Sequence, residues 1–183
     1  MTPPRDYLLT TSMKLPTLSA LLAFFGFASL AQAAPLTVGS AAPEISALDQ
    51  DGKTVNFKDV YARGVTLVYF YPKAATPGCT KQGCSLRDSW ADLQAKGIQV
   101  LGVSGDKPEA QKKFAEAQKF PFPLIADTDS KVANAFGVPN LLGIPKRQSF
   151  MIRDGKIVWN MLSASTDSHA ADVLKAFEAL PKK

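Results

Sequence analysis

The feature that most constrains the fold is a continuous apolar segment at residues 65–71, which is rich in β-branched and aromatic side chains. A strand with one face in solvent alternates apolar and polar residues, and this segment does not alternate. A helical pattern follows over residues 77–96, and a second apolar strand over residues 98–104. Strands that are buried on both faces and separated by helices indicate an α/β layer fold.

The rest of the chain supplies the other elements of a sheet protein. Two Asp-Gly pairs, each between short apolar segments, predict β-hairpins at residues 45–57 and 148–160. Together with the two buried strands, these hairpins predict a mixed central sheet flanked by helices, with an N-terminal β-hairpin. The remaining predicted elements are helices at residues 108–119, 130–136 and 167–180, and a short strand at residues 123–126.

Residues 1–33 have the layout of a secretory signal. A charged start precedes an apolar segment at residues 15–30, and a small-x-small pattern that ends at Ala33 follows. We therefore predict a cleaved signal peptide, export to the periplasm or the medium, and one domain at residues 34–183. Met13 is the predicted true start. The apolar segment is shorter than the about 20 residues of a membrane-spanning helix, and an uncleaved anchor is the alternative.

The charge pattern argues against a nucleic-acid partner. The formal net charge is +5 at pH 7, but the basic residues are scattered in pairs and form no cluster. The single histidine, His169, falls in a predicted helix near the C-terminus. A metal site or a Cys–His dyad would need more than this one histidine. We therefore predict no metal or other cofactor, and we interpret His169 as a surface residue.

The first cysteine follows a strong helix start. Thr76 is a typical N-cap residue and Pro77 a typical first helical residue, so Cys79 is predicted to be the third residue of the helix. Backbone N–H groups and the positive end of the helix dipole favour an anion at this position. A thiolate at Cys79 would gain from the same field. The sequence therefore predicts a reactive cysteine where a buried strand gives way to a helix.

The spacing of Cys79 and Cys84 is incompatible with a disulfide inside an intact helix. Five residues along a helix place the two Cα atoms roughly 8–9 Å apart, whereas a disulfide needs about 4.4–6.8 Å. Two cysteines in an exported protein more often form a structural disulfide. Either the segment is not helical, or the disulfide forms only after the helix opens. Gly83 lowers helix stability by about 1 kcal/mol relative to alanine, which favours a segment that opens.

This segment resembles the peroxiredoxins, and in particular the bacterioferritin comigratory protein (PrxQ-type) subfamily. The family pattern Pro-x-x-x-Thr/Ser-x-x-Cys matches Pro72, Thr76 and Cys79, and its distant arginine corresponds to Arg147. The subfamily's second cysteine, five residues after the first, corresponds to Cys84. The similarity covers nearly the whole chain after the predicted signal.

A few positions depart from the subfamily pattern. Gln82 and Gly83 stand where Glu-Ala is more usual, and Leu86 stands where phenylalanine is more usual. Acidic residues are usual where Ala74 and Ala75 stand. None of these departures falls on the matched catalytic positions, but they bear on the local charge and on the rate at which the helix opens.

The resemblance implies a thioredoxin-like fold and a thiol-dependent peroxidase that acts on hydrogen peroxide and organic hydroperoxides. Cys79 would become a sulfenic acid, Cys84 would condense with it, and a thioredoxin-like dithiol protein would reduce the disulfide. Thr76 and Arg147 would stabilise the peroxide oxygens, and Pro72 would shield the sulfur. The subfamily is often monomeric, so a monomer is expected, without stable membrane association after cleavage of the signal.

Two other functions are compatible with parts of the pattern. A thiol-disulfide oxidoreductase of thioredoxin type would act on protein disulfides, but its signature is Cys-x-x-Cys, and four residues separate the cysteines here. A non-catalytic binding module with the same fold would not need Pro72, Thr76, Cys79 and Arg147 together. Peroxide added in stoichiometric amount to the reduced protein distinguishes the three functions.

Overall fold

The computed structural model describes residues 34–181, and the predicted signal peptide at residues 1–33 lies outside this part of the chain. None of the helices within residues 34–181 is long and apolar enough to cross a membrane. The strands are β1 (Ser46–Leu48), β2 (Thr54–Asn56), β3 (Thr66–Phe70), β4 (Gln99–Ser104), β5 (Leu124–Ala126), β6 (Asn140–Leu141), β7 (Ile144–Pro145), β8 (Gln148–Arg153) and β9 (Lys156–Met161). The helices are α1 (Phe57–Tyr61), α2 (Pro77–Asp88), α3 (Trp90–Ala95), α4 (Pro108–Gln118), α5 (Lys131–Ala135) and α6 (His169–Glu178).

A five-stranded sheet with the order β5-β4-β3-β8-β9 forms the centre of the fold. The middle strand, β3, runs parallel to β4 and antiparallel to β8. The sheet continues with β5 parallel to β4 on one side and β9 antiparallel to β8 on the other. The predicted mixed sheet is therefore confirmed. The N-terminal hairpin is also present, because β1 and β2 pair antiparallel in a separate small sheet.

The apolar segment that predicts the fold is the middle strand, and all five residues of β3 are buried. Successive side chains of a strand point to opposite faces. Val68 and Phe70 accordingly belong to one apolar cluster, and Leu67 and Tyr69 to the cluster on the opposite face. This second cluster also contains Cys79. The first cysteine is thus anchored in the core on the face of the sheet that α2 covers.

Three local features differ from the prediction. The single helix expected at residues 77–96 is interrupted at Ser89, which separates α2 from α3. Phe57 begins a short helix and does not continue the preceding strand, because the Asn56 side chain accepts a hydrogen bond from the backbone N–H of Lys58 at 3.0 Å. The short hairpin of β6 and β7 was not predicted, since neither strand has more than two residues.

Candidate active site

Cys79 lies in the first turn of α2, shortly after the central strand ends. Thr76 has the extended backbone of an N-cap residue, with φ −78° and ψ 151°, and Pro77 is the first helical residue. Cys79 is therefore the third helical residue, as predicted, where backbone N–H groups have no acceptor within the helix. The Thr76 side chain does not cap α2, because its hydroxyl donates to the carbonyl oxygen of Lys73 at 3.0 Å. The first turn still favours a negative charge near the sulfur.

The loop between β3 and α2 is fixed by a carboxylate at the end of the neighbouring strand. Asp106 accepts a hydrogen bond from the backbone N–H of Ala74 at 2.7 Å and another from the Ser104 hydroxyl at 2.8 Å. The same hydroxyl accepts from the side chain of Gln111 at 2.8 Å. Ala75 has a φ of 58°, which is unusual for a residue with a Cβ atom and is maintained by these surroundings. The loop therefore holds the start of α2 in one position.

Arg147, the residue directly before β8, contacts the Cys79 sulfur. The antiparallel register pairs Phe70 with Gln148, so the residue before β8 emerges where β3 ends and the loop to α2 begins. One guanidinium nitrogen of Arg147, Nη2, lies 3.3 Å from Sγ of Cys79. The Cys79 side chain is only 2% exposed. A cation at this distance acts as a charge-assisted hydrogen-bond donor to an ionised sulfur.

A buried hydrogen-bond network that the sequence did not predict lies behind Arg147. The other guanidinium nitrogen, Nη1, donates to Oε1 of Gln82, one turn after Cys79 on α2. The side-chain amide nitrogen of Gln82 lies 3.2 Å from Nδ1 of His169. The other ring nitrogen of His169 lies 2.9 Å from the hydroxyl oxygen of Ser149 in β8. Four polar side chains thus connect the Cys79 sulfur with the interior of the fold.

The interpretation of His169 as a surface residue is wrong. The residue opens α6, is 0% exposed and has the Tyr69 ring 5.7 Å from its own. Burial lowers the pKa of His169 from 6.5 to about 4, while the Asp172 carboxylate opposes the shift and Arg147 adds to it. One signal was available in the sequence, because His169 lies four residues before the apolar Val173 and so shares its face of the helix.

The second cysteine has a looser environment than the first. Cys84 is partly exposed, and both cysteines are free thiols within the same helix. Its Sγ lies 3.5 Å from the side-chain oxygen of Gln118, which is a weak contact for a thiol donor. Arg87, also on α2, donates to the backbone carbonyl of Gln118 at 2.7 Å. The described structure is therefore the reduced form, in which an intact helix separates the two thiols.

Gly83 has a packing role in addition to its low helix propensity. The ring of Phe120 lies so close to Gly83 that a Cβ atom at this position would overlap it. Phe120 follows the end of α4 and also packs on Phe114 and Phe122. The alanine that is usual in the resembling subfamily would therefore displace the aromatic ring in this protein.

The structure brings together some of the predicted site residues more closely than others. Within residues 34–181, hydrogen-bond geometry links the Cys79 sulfur to Arg147, whereas the Thr76 hydroxyl donates to Lys73. Pro72 directly follows the buried Tyr71 after β3 and is partly buried. Thr76 and Pro72 therefore border the first turn of α2, and the arginine makes the direct contact.

Comparisons with known proteins identify the family. Residues 38–160 match the AhpC/TSA family. The chain is 45% identical over 148 residues to peroxiredoxin Bcp of Escherichia coli K12, a match that covers 76% of this chain and 94% of that protein.

Solved structures give the same result for the fold. Peroxidoxin BcpB from Mycobacterium tuberculosis is 33% identical, with a TM-score of 0.76 over 80% of this chain and 99% of that one. The bacterioferritin comigratory protein of Xanthomonas campestris, studied for its alkyl peroxide reduction activity, is 28% identical, with a TM-score of 0.70 over 80% of this chain and 98% of that one. The predicted thioredoxin-like fold is confirmed.

The fold and the two helical cysteines define a thiol-dependent oxidoreductase. The chain belongs to the AhpC/TSA family, and its relatives are BCP and PrxQ peroxiredoxins. The resemblance found in the cysteine segment is thereby confirmed. The protein is an enzyme of the peroxiredoxin class, a thiol-dependent peroxidase.

Proposed function

We propose that Cys79 is the nucleophile that reduces hydrogen peroxide and organic hydroperoxides, and that Cys84 resolves the oxidised sulfur. The observation that carries this assignment is the guanidinium of Arg147 at 3.3 Å from the buried Cys79 sulfur. Cys84 is partly exposed, and its cationic neighbour Arg87 is already bound to the Gln118 carbonyl and the Asp88 carboxylate. The inclusion of organic hydroperoxides is supported by the alkyl peroxide activity described for the Xanthomonas campestris relative.

The reaction begins with attack of the Cys79 thiolate on the terminal peroxide oxygen. The S–O bond forms as the O–O bond breaks, and the departing alkoxide or hydroxide takes a proton to leave as alcohol or water. The Cys84 thiolate then attacks the sulfenic sulfur of Cys79, which releases water and forms a disulfide. A dithiol reductant finally takes up this disulfide by thiol exchange and regenerates both thiols.

Ionisation of the sulfur supplies only part of the rate. A free cysteine with a pKa of about 8.5 is already about 3% thiolate at pH 7, so complete ionisation gains about 30-fold. Larger acceleration requires groups that stabilise charge on the peroxide oxygens and align the O–O bond with the sulfur. Arg147 and the backbone N–H of Cys79 are the donors for this task. The Thr76 hydroxyl donates to the Lys73 carbonyl and keeps lone pairs that can accept a hydrogen bond from the peroxide O–H.

Formation of the disulfide requires α2 to open. The helix holds Cys79 and Cys84 roughly 8–9 Å apart at their Cα atoms, beyond the reach of a disulfide. Opening separates Cys84 from Gln118 and removes Gly83 from beneath the Phe120 ring. The protein therefore alternates between a folded helix that reacts with peroxide and an opened segment that reacts with the reductant.

The enzyme is further proposed to act outside the cytoplasm as a monomer reduced by a thioredoxin-like dithiol protein. Support for export comes from the charged start, the apolar segment at residues 15–30 and the small-x-small pattern that ends at Ala33. Cell fractionation and N-terminal sequencing of the mature protein test this point. A mature chain that begins at residue 34 in the periplasm or medium is expected, and an intact N-terminus in the cytoplasm contradicts export.

Thiol counting after one equivalent of peroxide tests the catalytic assignment. Wild type loses two thiols, because the sulfenic acid and Cys84 combine. Cys84→Ser loses its one thiol and accumulates a sulfenic acid that a dimedone probe labels, whereas Cys79→Ser keeps its thiol. A wild-type protein that retains both thiols contradicts the proposal, and rapid oxidation of Cys79→Ser would reverse the assignment of the cysteines.

A further inference from the structure

The direction of each hydrogen bond behind Arg147 follows from which atoms can donate. A guanidinium only donates, so the Gln82 atom that contacts Arg147 is the carbonyl oxygen, as the geometry has it. The Gln82 amide nitrogen then faces His169 and can only donate. Nδ1 of His169 must therefore accept, which leaves the proton of the neutral imidazole on Nε2. That N–H donates to the hydroxyl oxygen of Ser149.

The three residues behind Arg147 are enclosed, so an unpaired polar atom on any of them would be costly. Gln82, Ser149 and His169 are all 0% exposed. A buried donor or acceptor without a partner loses the solvation it had in water and gains nothing in return. If Nδ1 of His169 carried a proton, the N–H groups of the Gln82 amide would face another donor and have no acceptor there. The Gln82 amide is consequently held with its oxygen toward Arg147.

We propose that His169 is a positioning residue, which fixes the Gln82 amide through Nδ1 so that Arg147 is aimed at the Cys79 sulfur. The inference rests on the proposed role of Cys79, and it extends the site to residues that never touch the peroxide. Arg147 carries the charge, Gln82 sets its direction, and the Nε2–H tautomer of His169 sets the direction of Gln82. The charged and titratable groups that face His169 are Arg147, the Asp172 carboxylate of its own helix and the Tyr69 hydroxyl-bearing ring of β3.

The tautomer can be observed directly. His169 is the only histidine of the sequence, so ¹⁵N-labelled protein without a histidine tag gives one pair of ring nitrogen resonances. At pH 7 the proposal requires a protonated Nε2 and an unprotonated Nδ1. The opposite tautomer, or a protonated ring, overturns it, and this measurement needs no variant that must fold.

Kinetics then tests the consequence for catalysis. His169→Phe keeps a ring against Tyr69 but removes the acceptor, whereas His169→Asn keeps an oxygen near the position of Nδ1. We expect His169→Phe to oxidise Cys79 about tenfold more slowly or worse, since small misplacements of a catalytic group have effects of this size. The later disulfide step is not slowed, because loss of a contact to Gln82 does not stabilise α2 against opening. His169→Asn recovers most of the lost oxidation rate.

A control on the same helix separates positioning from simple loss of packing. Val173 is 0% exposed and one turn beyond His169, so Val173→Ala weakens the same core without touching the network. Oxidation of Cys79 at the wild-type rate is expected for this variant. A His169→Phe enzyme as fast as wild type, or a Val173→Ala enzyme as slow as His169→Phe, overturns the inference. Wild-type protein that ignores peroxide altogether would instead contradict the proposed function.

Discussion

The two ends of α2 hold their cysteines in different ways. The first turn carries Cys79 in the core, next to an arginine that is itself fixed by Gln82 and His169. The later part carries Cys84 at partial exposure, where its sulfur contacts Gln118 weakly and lies near Arg87. The comparison suits the proposed mechanism, in which one helix serves both chemical steps. Its start has to keep the nucleophile aligned, and its later turns have to come apart.

The largest effect is expected from removing the cation next to Cys79, at the first turn of α2. Arg147→Ala should slow oxidation of Cys79 by about a hundredfold or more, which is typical for loss of one donor that stabilises charge in a transition state. The two-thiol titre of the reduced protein stays unchanged. Stopped-flow measurement of Cys79 oxidation checks this. Arg153→Ala is the matched control, because Arg153 donates to the backbone of Pro181 at the surface, and an equal loss in that variant would contradict the role of Arg147.

The buried imidazole of His169 makes the free energy of unfolding depend on pH. The unfolded chain binds a proton at His169 below about pH 6.5, whereas the folded protein binds it only near pH 4. The contribution of His169 to the free energy of unfolding is therefore full above pH 6.5. It falls as the pH drops from 6.5 to about 4, by about 3 kcal/mol in all. Urea unfolding of wild type and His169→Asn across this range measures it. A stability difference between the two proteins that does not change with pH contradicts the account.

Weakening the packing of α2 around Gly83 should accelerate disulfide formation, the step that follows oxidation of Cys79. Phe120→Ala removes the ring that covers Gly83, so α2 opens more easily and the disulfide forms about tenfold faster, equivalent to about 1.4 kcal/mol. Oxidation of Cys79 keeps its wild-type rate. Rapid quenching with an alkylating reagent follows the disulfide. Phe177→Ala, which removes a partly buried ring from the same core cluster away from Gly83, serves as the control. A Phe120→Ala protein that forms its disulfide no faster than this control would contradict the covering role of the ring.

The smallest effect concerns helix propensity alone. Gly83→Ala in wild type has two opposing consequences, since alanine favours the helix but its Cβ overlaps Phe120. In the Phe120→Ala background the overlap disappears. The added alanine should then slow disulfide formation about fivefold, which corresponds to about 1 kcal/mol of helix stability. Equal disulfide rates in the single and double variants would show that helix stability at this position does not limit opening.

The sequence predicts the elements of the site better than their contacts. The local signals at Thr76 and Pro77 are sufficient to place Cys79 in the first turn of a helix, because helix starts depend on neighbouring residues. Arg147 lies 68 residues away from Cys79, and only the family resemblance identified it. Its approach to the sulfur depends on the register of β8 against β3, which no local pattern specifies.

His169 and Phe120 show where the inference from sequence fails. A histidine at the first position of a helix can face solvent or the core. Which of the two it faces depends on whether the core offers a hydrogen-bond partner such as Gln82. The overlap of Phe120 with Gly83 joins α2 to the end of α4, 37 residues apart by their sequence numbers. Glycine at this position predicts a weak helix correctly but gives no indication of the ring above it.

Amide hydrogen exchange over residues 78–86, measured in the reduced and the disulfide forms, tests the central claim most directly. The account predicts strong protection of these amides in the reduced protein and its loss in the oxidised protein, while the central strand β3 stays protected in both. Equal protection of residues 78–86 in the two redox states would contradict the claim that the helix must open before the two sulfurs can meet.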